Sequence, residues 1–134
     1  MIHLDTSFVI DLLREIARGQ EGPASKFLET VSEQQLGISV FVLCELLMGA
    51  ELSANPGVET ARVSAICSNL HIELLDERFA PVFAKHYARQ EKVGQRVSTM
   101  DLLIATSATL ADASLVTRNT KDFARVPGLR LMGY

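Results

Sequence analysis

Hydrophobic positions along this chain switch between short unbroken apolar runs and helical spacing, and each switch marks a new element. IHL (2–4) reads as a short buried strand ending at Asp5, with TSFVIDLLREIA (6–17) following as a helix. Gly22 and Pro23 punctuate before ASKFLETVSEQ (24–34), a second helix with Phe27, Leu28 and Val31 at core-facing spacing. LGIS (36–39) is a second strand. It runs into VFVLCELLMGAEL (40–52), apolar on nearly every side and so expected to be a buried helix. After Asn55-Pro56-Gly57, VETARVSAICSNL (58–70) keeps helical spacing and IELL (72–75) supplies a third strand. Asp76 is placed to cap the helix RFAPVFAKHYARQEKVG (78–94), and Ser98 opens another, TMDLLIATSATLADA (99–113). SLVT (114–117) is a fourth strand, KDFARV (121–126) a short helical turn, and LRLM (129–132) a fifth strand.

Strands alternating with helices need crossover connections, so the pattern predicts an α/β protein with a parallel sheet flanked by helices. In such a sheet the ligand crevice lies beyond the carboxyl ends of the strands. The length of 134 residues, with 48% hydrophobic and 22% charged content, predicts one compact domain over 1–134. No apolar run approaches a membrane span and no secretory leader opens the chain, so a cytoplasmic location is expected. Cys44 and Cys67 fall in apolar helical patterns and read as reduced, small core residues. The net charge of −3 argues against indiscriminate wrapping of nucleic acid but leaves local basic patches open.

Candidate chemistry comes from three lone carboxylates, Asp5, Glu45 and Asp101, each set in an otherwise apolar run. An isolated buried carboxylate is costly and either neutralises or finds a partner. If the fold gathers them, like charges ~4 Å apart repel by about 4 kcal/mol at an effective dielectric near 20, and a divalent cation removes that repulsion. Hard oxygen donors without histidine or thiolate favour Mg²⁺ or Mn²⁺ over Zn²⁺. Asn119 and Asp122 follow the fourth strand and map to the same edge.

Each acid has a plainer competing role. Asp5 precedes a helix and can cap it; Ser98 to Asp101 has the form of a capping box, and Asn119 to Asp122 repeats it. Glu45 has no cap to explain it, leaving a snorkelled or partnered acid as its alternative. Thr6 and Ser7 flank Asp5 and can hold a carboxylate or finish the first helical turn. Lys85, Arg89, Lys92 and Arg96 line one helix face that leads toward Asp101, either tracking a phosphate backbone or forming a solvated charged face. His3, His71 and His86 have no ligand spacing and are assigned no catalytic role.

IHLDTSFVIDLL, SVFVLCELLMGAELS and STMDLLIATSATLADASLVTRNTKDFARVPGLRL, in this order and spacing, resemble the PIN domain and, within it, the VapC-type toxins of bacterial toxin–antitoxin pairs. The resemblance implies a three-layer α/β/α fold with a parallel sheet of about five strands, and Mg²⁺- or Mn²⁺-dependent endoribonuclease activity. It also implies a cognate VapB-type antitoxin, with a homodimer or a heterotetramer or octamer formed with it. The family's acidic positions fall on Asp5, Glu45 and Asp101. At the fourth, where many relatives place an acid directly after the threonine-containing strand, this chain has Asn119 in TRNTKDF, with Asp122 three residues on as a substitute.

The expected mechanism is hydrolysis of a phosphodiester in single-stranded or looped RNA by a metal-bound water attacking in line. Asp5 and Asp101 serve as the main ligands, Glu45 as a water-mediated ligand or base, and Asp122 as an outer holder. A non-catalytic RNA-binding module is the alternative from another class, in which the acids are caps and the basic stripe supplies affinity. A phosphatase-like domain with Asp5 as nucleophile ranks low, because Ser7 stands where its second acid belongs.

Overall fold

A computed structural model describes all 134 residues. The elements are β1 (Ile2–Leu4), α1 (Thr6–Arg18), α2 (Pro23–Thr30), β2 (Leu36–Ser39), α3 (Val40–Glu51), α4 (Pro56–Cys67), β3 (His71–Glu73), α5 (Phe79–Val93), α6 (Thr99–Leu110), β4 (Ser114–Val116), α7 (Thr120–Phe123) and β5 (Leu131–Met132). The five strands form one parallel sheet in the order β3-β2-β1-β4-β5. The chain winds outward from β1 to β3, then returns to the other side of β1 for β4 and β5. Right-handed crossovers therefore put α1–α4 on one face and α5–α6 on the other. The expected three-layer α/β/α arrangement is the one observed.

The core is a cluster of 19 buried apolar residues, among them Leu4, Phe8, Ile38, Val42, Leu102, Ile104, Leu115 and Phe123. The first strand is buried at every position, as its unbroken apolar run requires in a sheet covered on both faces. At Gly37 on β2 a Cβ would lie 2.9 Å from the His71 carbonyl oxygen of β3, so only glycine fits between the strands there.

Local expectations differ from the structure at several places. The second helix stops at Thr30 rather than continuing to 34, and the third strand spans His71–Glu73, leaving Leu74 and Leu75 exposed beyond it. Asp76 does not cap α5. Arg78 takes the N-cap position, while the Asp76 carboxylate accepts the Arg78 amide at 2.9 Å and pairs with its guanidinium at 2.8 Å. The apolar helix α3 is not buried on every side: Met48 and Leu52 are 57% and 81% exposed, and Cys44 is exposed too, not a core residue. Val42, Leu46 and Ala50, spaced by four, are its fully buried residues, and Phe41, Leu43 and Leu47 pack against the core from beside them. Cys67 is half-buried, and burial pushes its thiol upward, which keeps it protonated.

Glu15 ties α1 to α2. Its carboxylate accepts the amides of Gly22, Ala24 and Ser25 and the Ser25 hydroxyl, occupying the anion-binding N-terminus of α2. Desolvation opposes ionisation there, but the bonds from Ser25, Ala24 and Gly22 together win and hold the carboxyl below its ordinary value. A depressed carboxyl contributes stability above the unfolded glutamate value of about 4.3 and loses it as pH falls through the folded value. Wild type should therefore melt a few degrees above Glu15→Gln at neutral pH, and the gap should close in melts recorded below about pH 4.

Candidate active site

Leu4 of β1 pairs with Val116 of β4, so Asp5 and Thr117 leave neighbouring strands side by side where the winding of the sheet reverses. Asp5 is 5% exposed. The buried Thr117 hydroxyl donates to Asp5 Oδ2 at 2.7 Å, and the Ser7 hydroxyl donates to the same oxygen at 2.9 Å, leaving Oδ1 without a protein donor. Asp5 has the extended backbone of an N-cap, yet its side chain caps nothing; its carbonyl alone takes the amides of Phe8 and Val9. Ser7 and Thr117 are themselves oriented from the loop after β4, accepting the amides of Arg118 and Asn119 at 3.2 and 3.0 Å.

Glu45 reaches the same edge from the second turn of α3, half-buried, and accepts the Thr6 hydroxyl at 2.6 Å. The two hydroxyls flanking Asp5 thus hold different carboxylates. At the start of α6 the Ser98 hydroxyl accepts the Asp101 amide at 3.1 Å, so the serine half of the capping box forms and anchors the helix that carries Asp101. Burial pushes the Asp101 carboxyl above its ordinary range; Ser98 works against this, and the charges of Asp5, Glu45 and Asp122 add to it. The charges of all four acids therefore meet at Asp101. Asp122 is half-buried on α7, while Asn119 is exposed and makes no side-chain capping bond, so the second capping pattern does not form.

The donor set is carboxylate and hydroxyl oxygen throughout. His3 and His71 lie near Glu73 instead, His71 at 3.0 Å, and His86 lines a separate hollow. No three of the carboxylates close in as they stand to enclose an ion by themselves. An all-oxygen set fits Mg²⁺, which keeps several waters and takes one or two protein carboxylates together with substrate phosphate. The free Oδ1 of Asp5 and the raised carboxyl of Asp101 are the two positions a dication would relieve most.

Beside the acids lies a group that sequence reasoning did not assign to the site. Arg118 Nη1 donates to both Asp11 oxygens at 2.8 and 3.0 Å, and the Tyr134 hydroxyl donates to Asp11 at 2.6 Å, its ring packed edge-on against Phe8. Nothing local signals a pairing of residues 123 positions apart. Thr117 is different: a threonine closing a buried strand, opposite a strand that ends in a lone acid, is a signal the pattern did contain. Of the basic stripe, Lys85, Arg89 and Lys92 are exposed on α5, while Arg96 lies past its end and pairs with Glu91 at 2.5 Å.

Fold and site together define a small α/β protein with an acidic centre at the topological switch point of a parallel sheet. The chain belongs to the PIN-domain family, whose profile matches residues 2–129. It is 31% identical over 96 residues, 72% of each chain, to ribonuclease VapC2 of Rickettsia felis. It is likewise 31% identical over 101 residues to the tRNA(fMet)-specific endonuclease VapC of Salmonella typhimurium, covering 75% of this chain and 76% of that one. Among solved structures, VapBC2 from Rickettsia felis bound to a promoter DNA fragment superposes with a TM-score of 0.90 at 26% identity, covering 100% of this chain and 99% of the other.

A carboxyl with a raised folded value favours the fold below the unfolded value and loses that contribution as pH rises through the folded one. In EDTA at neutral pH, Asp101→Asn should therefore melt a few degrees above wild type. That gain should vanish in acid, where the wild-type carboxyl takes up its proton.

Proposed function

We propose that this chain is a metal-dependent endoribonuclease, the toxin of a toxin–antitoxin pair, cutting single-stranded or looped RNA. The observation that carries the reading is the electrostatic unit of Asp5, Glu45, Asp101 and Asp122, gathered from four separate elements at one edge of the sheet. The VapC relatives, a ribonuclease and a tRNA(fMet)-specific endonuclease, support RNA as the substrate class. A non-catalytic role for the acids fares worse, since neither Asp5 nor Asn119 makes the side-chain cap that reading requires.

Asp5 and Asp101 would hold Mg²⁺ or Mn²⁺, with Glu45 and Asp122 holding its waters. When bound, the ion would supply Lewis-acid polarisation of the phosphate and lower the pKa of a coordinated water. The protein groups do the rest. Thr117 and Ser7 fix the Asp5 carboxylate so that its free oxygen faces the crevice, and because both hydroxyl protons are engaged there, neither residue serves as the nucleophile. Thr6 fixes Glu45, whose second oxygen accepts the proton of the attacking water.

The antitoxin finds a receptor next to this site. A hollow of about 250 Å³ between α1, α3 and α4 is lined by Ile10, Leu13, Leu46, Ala50 and Val63, with Glu45 also on its wall. An amphipathic segment laid there buries its apolar face and carries a basic side chain toward the acids, blocking them. The VapBC2 complex from Rickettsia felis is the precedent for such a partner.

Incubation with total RNA should give discrete cleavage products with Mg²⁺ and none in EDTA, and Asp5→Ala or Asp101→Ala should each abolish them; full cleavage by either variant would overturn the assignment. Gly49 lines the antitoxin hollow, and a Cβ there meets nothing within 4 Å. Gly49→Leu should raise stability by up to about 1 kcal/mol through helix propensity. It should at the same time weaken co-purification with the antitoxin; undiminished pairing would place the partner elsewhere.

A further inference from the structure

The chain has nine arginines. Six of them, Arg14, Arg62, Arg78, Arg96, Arg118 and Arg130, lie within 4.0 Å of a carboxylate. Arg18, Arg89 and Arg125 do not. Two of these three, Arg89 on α5 and Arg125 just past α7, line a single hollow of about 210 Å³ together with His86, Gln90 and Gln95, and no carboxylate lines it. Two guanidinium groups facing one space without a counter-charge repel, and an anion between them removes that cost.

A neutral donor stands beside them. The buried Gln90 uses its carbonyl oxygen to accept the Val97 amide at 3.2 Å, leaving its NH₂ free to donate. His86 Nδ1 has no hydrogen-bond partner in the protein. Arg125 gives one bond to the Arg96 carbonyl at 3.1 Å, which steadies the guanidinium and leaves its other N–H donors unused. An unused amide NH₂ beside two guanidinium groups matches the oxygens of a phosphate.

The place of the hollow says which phosphate. Leu102, on its wall, directly follows Asp101, and the Arg125 amide bonds to the Asp122 carbonyl at 3.2 Å. Its wall is therefore built in part from the same two segments that carry Asp101 and Asp122. An RNA strand at that cluster meets four carboxylates on a chain of net charge −3, and it needs placed cations to be held at all.

We infer that this hollow is a phosphate subsite, in which Arg89 and Arg125 hold a backbone phosphate of the RNA strand next to the scissile position. The inference rests on the ribonuclease reading above. Both arginines are positioning residues, with their effect on binding.

Cleavage of a tRNA transcript by wild type, Arg89→Gln/Arg125→Gln and the control Arg18→Gln, followed across salt concentrations, tests it. The double variant should raise KM roughly tenfold, the loss of charge-assisted bonds, and make the dependence of log KM on log salt shallower by about 1. Arg18→Gln should match wild type. Inorganic phosphate titrated into wild type should shift the His86 ring resonances, and this response should disappear in the double variant. Unchanged KM and salt dependence with a silent His86 overturn the subsite. Unchanged KM with a His86 response overturns the RNA assignment and gives the hollow to free phosphate or a nucleotide. A wild type that cleaves no RNA defeats the ribonuclease reading instead, and the RNA assignment with it, while the phosphate titration still decides whether the hollow binds phosphate.

Discussion

The carboxylate of Asp5 is 5% exposed and takes both of its hydroxyl bonds on one oxygen, Ser7 from its own helix and Thr117 from the end of the neighbouring strand. A nearly buried carboxylate is tolerated only with such partners. The partners exist because β1 and β4 are adjacent although more than a hundred residues apart in the chain. The order of the strands therefore decides whether the acid finds those partners. From that pairing follow the rest of the contacts at the edge. Thr117 accepts the Asn119 amide, Ser7 accepts the Arg118 amide, and the loop they shape leads into α7 and Asp122.

Around that fixed acid the charges are sorted by place. Carboxylates collect at the switch point, where desolvation and mutual repulsion raise the Asp101 carboxyl. Most arginines are consumed in surface ion pairs, which contribute little to stability individually but remove those cations from competition for a polyanion. Arg118 is of this kind, held by Asp11 with Tyr134 beside it. The free guanidinium groups of Arg89 and Arg125 stand out against that background, one step from the acids along both α6 and α7. An acidic centre next to an uncompensated basic hollow is a physical arrangement for a substrate that is itself anionic and must be brought to carboxylates.

The apolar hollow on the opposite side of Glu45 follows a different logic. Ile10 and Leu13 on α1, Leu46 and Ala50 on α3, and Val63 on α4 leave a gap that no side chain of this chain fills, and Gly49 widens it by lacking a Cβ. Because Glu45 belongs to both the hollow and the acid cluster, whatever occupies the one acts electrostatically on the other.

By itself the sequence determined the order and kind of the elements and the identity of the acids. Both are local signals: short runs such as IHL and LGIS, bounded by polar or helical segments, read as covered strands, and a lone carboxylate in LCELL or TMDLLI is anomalous wherever the chain goes. Tertiary structure decided what each local feature faces. The spacing within α3 could not say which side its neighbours would cover, so Cys44 and Leu52 are exposed although their surroundings in the chain are apolar. Asp76 was drawn from capping to pairing by Arg78, and Asp5 from capping to Thr117 by the strand beside it. The convergence of Arg89 with Arg125, and of Asp11 with Tyr134, had no trace in spacing, because a contact between distant residues is set by how the sheet is wound, and the period of a segment reports only its own two faces.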